Sequence, residues 1–169
     1  MLKIICVVCL LGFPAPTALA GDATQTSAQS STDQNLVKLV RAGRQLSKAN
    51  VKQLEFALKS LPLHLPTRAR LLGFYYHSSL PIFGRTTTIK ARRRHILWLI
   101  ENHPESKIVG LPEATIGPSG HELADEQGYR QAKELWLKQA ERNKNNEKVR
   151  ANAAKFLQQH DKAIAETLL

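Results

Sequence analysis

Cysteine occurs only at Cys6 and Cys9. Residues 21–169 therefore offer no thiolate nucleophile, no disulfide and no Cys-ligated metal. Acids have a gap of their own: residues 56–100 contain no Asp or Glu. Residues 21–100 hold 13 Lys/Arg against 3 Asp/Glu, whereas 101–169 hold 10 against 11. A one-sided field of this kind steers anions. None of the six histidines, His64, His77, His95, His103, His121 and His160, has His-Glu-x-x-His spacing. A metal site thus lacks its usual starting point, and neither metal nor cofactor is expected. After residue 20 no apolar run is long enough to span a bilayer.

What is present begins with a three-part leader. Lys3 supplies a positive start, residues 4–13 a short apolar run, and Ala18 and Ala20 a small-x-small cleavage signal. This is the layout of a secretory signal peptide. The expectation is cleavage after Ala20 and a secreted or periplasmic product without a transmembrane helix. Residues 21–33 are Ser/Thr/Gln/Ala-rich with little to bury, which predicts a flexible lead-in. Residues 34–169 are long enough for one core and are expected to form a single domain.

Helical periodicity runs through that domain. Asp33 is a candidate N-cap for a first helix with Leu36, Leu39, Val40 and Leu46 on one face and Arg41, Arg44, Lys48 and Lys52 on another. Asn50 is a candidate cap for a second helix that buries Leu54, Ala57, Leu58 and Leu61 and stops at Pro62. Pro66 suits the first turn of a third helix carrying Ala69, Leu72, Gly73 and Tyr76. Gly in a helix interior costs about 1 kcal/mol relative to Ala, so Gly73 marks a close approach by another backbone. Residues 77–85 read as a connection, and Thr86, Thr87 and Thr88 as caps for a helix ending at Pro104. The breakers Gly117, Pro118 and Gly120 make 111–125 a long loop. In the last third Tyr129, Ala132, Trp136 and Ala140 face Val149, Ala153, Phe156 and Leu157 across a polar turn, which predicts a hairpin. Ala163, Ile164 and Leu168 begin a further helix that packs back onto it.

Segments 54–62, 96–104 and 135–143 align without gaps, at offsets of 42 and 39 residues. With them in place, Ala69, Leu72, Gly73 and Tyr76 resemble the first-helix pattern of tetratricopeptide-like repeats, with Ala69 where that family carries a large residue. Asn152, Ala153, Ala154, Phe156 and Leu157, followed by Asp161, Ala163 and Ala165, resemble the later part of the same repeat. The resemblance implies an all-α fold of antiparallel helical hairpins stacked as a short repeat array. It implies binding of a protein or peptide partner along a helical groove and brings no catalytic residue.

Arg92, Arg93 and Arg94 form the sharpest local feature. With Arg85 and Lys90 they are the candidate binding site, guanidinium groups being suited to carboxylate or phosphate. Three consecutive helical positions fan over a wide arc, so at least one of them faces away from any core. The expected function is a non-enzymatic protein- or peptide-binding module outside the cytoplasm. One alternative is a basic surface protein on an anionic polymer or membrane; nucleic acid is disfavoured by the leader. The other is a small hydrolase-type enzyme near Gly117–Asp125, where His121 adjoins Glu122.

Overall fold

The computed structural model describes the backbone of residues 22–169 and the side chains of 32–169. The leader at 1–20 lies outside the described residues. All regular structure among the described residues is helical. Helices α1 (Asp22–Ala42), α2 (Lys48–Ser60), α3 (Leu65–His77), α4 (Leu80–Phe83) and α5 (Arg85–Asn102) come first. Two 3-10 turns follow, Lys107–Gly110 and Pro112–Ala114. Then come α6 (Glu126–Arg142), α7 (Glu147–Leu157) and α8 (Lys162–Thr167).

Helix α1 begins at Asp22, so the expected lead-in is helix and Asp33 lies inside it rather than at its cap. At α2 the cap is Ser47, not Asn50. The Ser47 hydroxyl accepts from the Asn50 N–H (3.2 Å), while Asn50 Oδ1 accepts from the Ser47 N–H (3.3 Å). Asn50 is thus the third-position partner of a capping box, and the helix starts two residues before it. Pro66 sits in the first turn of α3, as its missing N–H allows. The 77–85 connection contains the single turn α4. Gly84, at φ 73°, lets the chain reverse directly into α5, so the threonines are not its cap.

Packing runs along the chain: α1 on α3, α3 on α5, α5 on α6, α6 on α7, and α7 on α8. Helix α3 is enclosed on nearly every side, with Thr67, Arg68, Ala69 and every residue from Leu71 to Tyr75 buried. Glycines make its approach to α1 possible. A β-carbon on Gly73 would collide with the Val40 carbonyl, and one on Gly43 with the Arg70 carbonyl. The last third forms the expected hairpin. Tyr129, near the start of α6, stacks on Phe156, near the end of α7, at 5.5 Å. Fully buried Trp136 fills the space between these helices, 6.4 Å from Phe156.

Two apolar clusters result. The larger joins α1, α3, α5, α6 and α7 around Leu72, Ile96, Leu99, Trp136 and Leu157. The smaller lies under α2 and contains Leu46, Val51, Leu58, Leu71, Phe74, Tyr75 and Ala91. Helix α2 buries only Val51 and Leu58 there; Leu61, expected inside, is exposed because the chain leaves the helix before it. The aligned segments fall at the ends of α2, α5 and α6, but after α5 the second helix of a hairpin is replaced by 3-10 turns and an irregular loop.

Candidate functional site

The shallow packing of α2 leaves a groove of about 1010 Å³ between it and α5. Helical spacing sets its walls. Lys52, Glu55, Phe56 and Lys59 recur at three- and four-residue steps on α2, facing Lys90, Arg94, Leu97, Trp98 and Glu101 on α5. Tyr75, Ala91 and Phe83 contribute the apolar floor, and Arg68 reaches in from α3. Lys52 and Lys90 have no partner within the described residues.

Five titratable groups converge beneath this groove: Glu55, Arg68, Tyr75, Arg94 and His95. Glu55 Oε1 accepts from the Tyr75 hydroxyl (2.8 Å), from His95 Nε2 (3.0 Å) and from Arg94 Nη2 (2.7 Å), which also reaches Oε2 at 2.7 Å. On the other side of the imidazole, Arg68 Nη1 lies 3.3 Å from His95 Nδ1. A guanidinium can only donate, so Nδ1 accepts and the ring proton belongs on Nε2, facing Glu55. Tyr75 stacks on the same ring at 5.7 Å. The Arg68 guanidinium lies 4.0 Å over Trp98 and also donates to the Pro62 carbonyl, at 3.1 and 2.6 Å.

The electrostatics follow from burial and these partners. Burial alone would push the Glu55 carboxyl up, but the hydrogen bonds from His95 and the Tyr75 hydroxyl, with the Arg94 charge, outweigh it and hold it at about 2. Burial drives His95 below its ordinary value despite Glu55, so the ring is neutral at pH 7. Burial and the neighbouring carboxylate push the Tyr75 hydroxyl upward. Burial, then the Arg94 charge, lowers Arg68. These groups satisfy one another. A carboxylate near 2 is a poor base at neutral pH, and an imidazole with no exposed atom and both nitrogens engaged has no free edge for a substrate.

Of the five residues singled out from sequence, Arg85, Lys90 and Arg93 line one cleft of about 400 Å³, while Arg92 and Arg94 turn elsewhere. At about 100° per residue, the three arginines diverge. Arg92 is buried over Tyr76 (5.2 Å) and donates to the carbonyls of Glu113 (3.3 Å) and Thr115 (2.9 Å). Burial lowers it to about 10. Arg93 grips Asp125 through Nε (2.7 Å) and Nη2 (2.5 Å) and reaches Gln127 at 2.7 Å. Arg94 turns to Glu55 in the groove. Arg85 donates to the Glu122 and Ala124 carbonyls at 3.0 and 3.1 Å. Arg85, Arg92 and Arg93 therefore hold the 111–125 loop down, with Ile116 and Leu123 buried beneath it. Only Lys90 and Arg94 of the five line the groove.

The His121–Glu122 pair lies in the 111–125 loop. His121 Nδ1 accepts the Leu123 N–H at 3.1 Å, which fixes the loop on itself. The neighbouring cleft of about 580 Å³ is walled by Tyr76, Pro112, Leu123 and Phe156 as well as by both members of the pair. Among the described residues no cluster of His, Cys, Asp or Glu is arranged to hold a metal ion, and no helix is long and apolar enough to cross a membrane. Glu55 and Arg68 escaped the sequence reading, His95 was one histidine among six, and Tyr75 read better as core than as a binding aromatic. The one available signal was Glu55 itself, the last acid before the 56–100 gap and surrounded in sequence by cations. Comparison with protein-family models, with curated proteins and with solved structures gives no match for this chain.

Proposed function

We propose that this chain is a non-enzymatic binding module of the helical-hairpin, tetratricopeptide-like kind, whose α2–α5 groove receives an apolar, acidic segment of a partner protein. One observation carries the reading: Lys52, Lys90 and Arg94 rim a groove floored by Tyr75, Ala91, Leu97 and Trp98. Apolar floors supply affinity, and a few placed charges set orientation. Glu55, the acid at the centre, is already neutralised by Arg94 and hydrogen-bonded by His95. The leader at 1–20 adds the proposal that binding takes place outside the cytoplasm, checked by the intact mass of exported material.

A random peptide display library panned against the folded protein tests the groove. The expected consensus pairs Asp or Glu with Phe, Leu or Trp, and a selected peptide followed by fluorescence anisotropy should weaken at least about tenfold with Lys90→Glu or Lys52→Glu. A consensus without acids, or binding indifferent to both variants, would reject it.

A further inference from the structure

Among the described residues the exposed bulky apolar side chains concentrate in the stretch 56–63, with Ile82 and Leu169 elsewhere. Phe56, Leu61 and Leu63 are 68, 58 and 70% exposed. The turn that carries the two leucines is fixed. Buried Arg68 holds the Pro62 carbonyl through two donors. The Leu61 N–H closes onto the Ala57 carbonyl, the His64 N–H onto Leu61, and His64 Nδ1 meets the Thr67 hydroxyl at 2.7 Å. Leu61 and Leu63 are thus presented on an exposed edge by a hydrogen-bonded turn.

The surrounding charge is mainly positive, although Glu101 lines the α2–α5 groove. Lys59 Nζ lies 5.5 Å over the Phe56 ring, and Lys52 stands one helical turn before Phe56. No acid follows Glu55 until Glu101, and Glu55 is engaged by Arg94. We propose that this edge docks on an anionic phospholipid bilayer, with Leu61, Leu63 and Phe56 entering the interface while Lys52 and Lys59 reach headgroup phosphates. Apolar side chains ringed by lysine are the combination that interfacial binding uses, one part from buried area and one from surface potential. Lysine stems extend along apolar surface and keep the ammonium at the headgroups. A second copy of the chain is a poorer occupant, since a two-fold contact would set Lys52 and Lys59 against their own counterparts. Lys52, Phe56 and Lys59 also wall the α2–α5 groove, whereas Leu61 and Leu63 do not line it, so the leucine variants separate this docking from peptide binding.

Flotation of the full chain with phosphatidylglycerol-rich vesicles and with pure phosphatidylcholine vesicles tests it. The wild type should partition at least about tenfold more strongly onto the anionic vesicles. Leu61→Ser with Leu63→Ser, and separately Lys52→Gln with Lys59→Gln, should each reduce that partition about tenfold. Both leucines are exposed, so the melting temperature should hold; if the double variant unfolds, Leu63→Ser alone serves. Equal partition onto both vesicle types, retention of wild-type binding by the leucine variants, or a concentration-dependent dimer that those variants abolish would overturn the proposal.

Discussion

Glu55 is the residue on which most of the groove depends, and it makes the fold pH-dependent in a stated direction. Its folded value of about 2 lies below the ordinary 4.5. A depressed carboxyl contributes stability that is complete above 4.5 and is lost as pH falls from 4.5 towards 2. His95 is depressed below its ordinary 6.5, so the unfolded chain takes up that proton first. Its contribution is complete above 6.5 and declines below it, in the same direction. Urea unfolding between pH 7 and pH 2 should therefore show stability falling in two limbs. Glu55→Gln should cost about 1–2 kcal/mol at pH 7, after discounting for solvent screening, and flatten the limb below 4.5, while the limb that begins near 6.5 persists and deepens because the charge favouring a protonated His95 is gone. An unchanged lower limb would show that Glu55 is not the group that titrates. Arg92 makes a second prediction at this scale. Its guanidinium is buried against two loop carbonyls, so Arg92→Gln should destabilise by about 2–4 kcal/mol, whereas Arg94→Gln, at the exposed rim, should cost about 1 kcal/mol or less. Chemical denaturation of the two single variants checks the ranking, and equal losses would contradict it.

Between elements, the tightest junction is that of α1 with α3, where two glycines let backbones touch. Gly73→Ala should cost about 1–3 kcal/mol through overpacking, against the gain that Ala brings to an unconstrained helix. A stabilised Gly73→Ala variant in urea unfolding would mean that the two helices separate freely. That junction was legible because a lone glycine inside an amphipathic pattern conflicts with local propensity. Helix stops at Pro62 and Pro104 and the α6–α7 pairing were legible for similarly local reasons. The groove was not. His95 and Glu55 stand 40 residues apart, and nothing in either helix's own periodicity says that they meet. For the arginine triplet it is the spread of the side chains that the sequence hides. The three adjoin in sequence, but helical rotation sends Arg92 into the loop, Arg93 to the cap of α6 and Arg94 to Glu55. Capping at Ser47 was missed because Asn50 is itself a good cap residue and occupies the reciprocal position of the same box.

For the molecule as a whole, the unequal anchoring of α2 matters most. Most helices share the larger cluster, but α2 rests on the smaller one through Val51 and Leu58 and is tied to α3 and α5 by the bonds that converge on Glu55. Elements with few buried apolar contacts open at lower free energy than the core. Amide hydrogen exchange should therefore find α2 less protected than α3 and α5 under native conditions. Glu55→Gln removes its main charged tie, and a loss of about 1.4 kcal/mol in local opening raises exchange about tenfold. That rise should be confined to α2 and the turn at 61–64, leaving α6 and α7 unchanged, because their contacts run through Trp136, Phe156 and Tyr129. Residues on α2 line the groove and form the exposed edge, so a helix that opens by itself would couple the two surfaces. A uniform rise in exchange across all helices would instead place α2 in the global unfolding unit and remove the basis for that coupling.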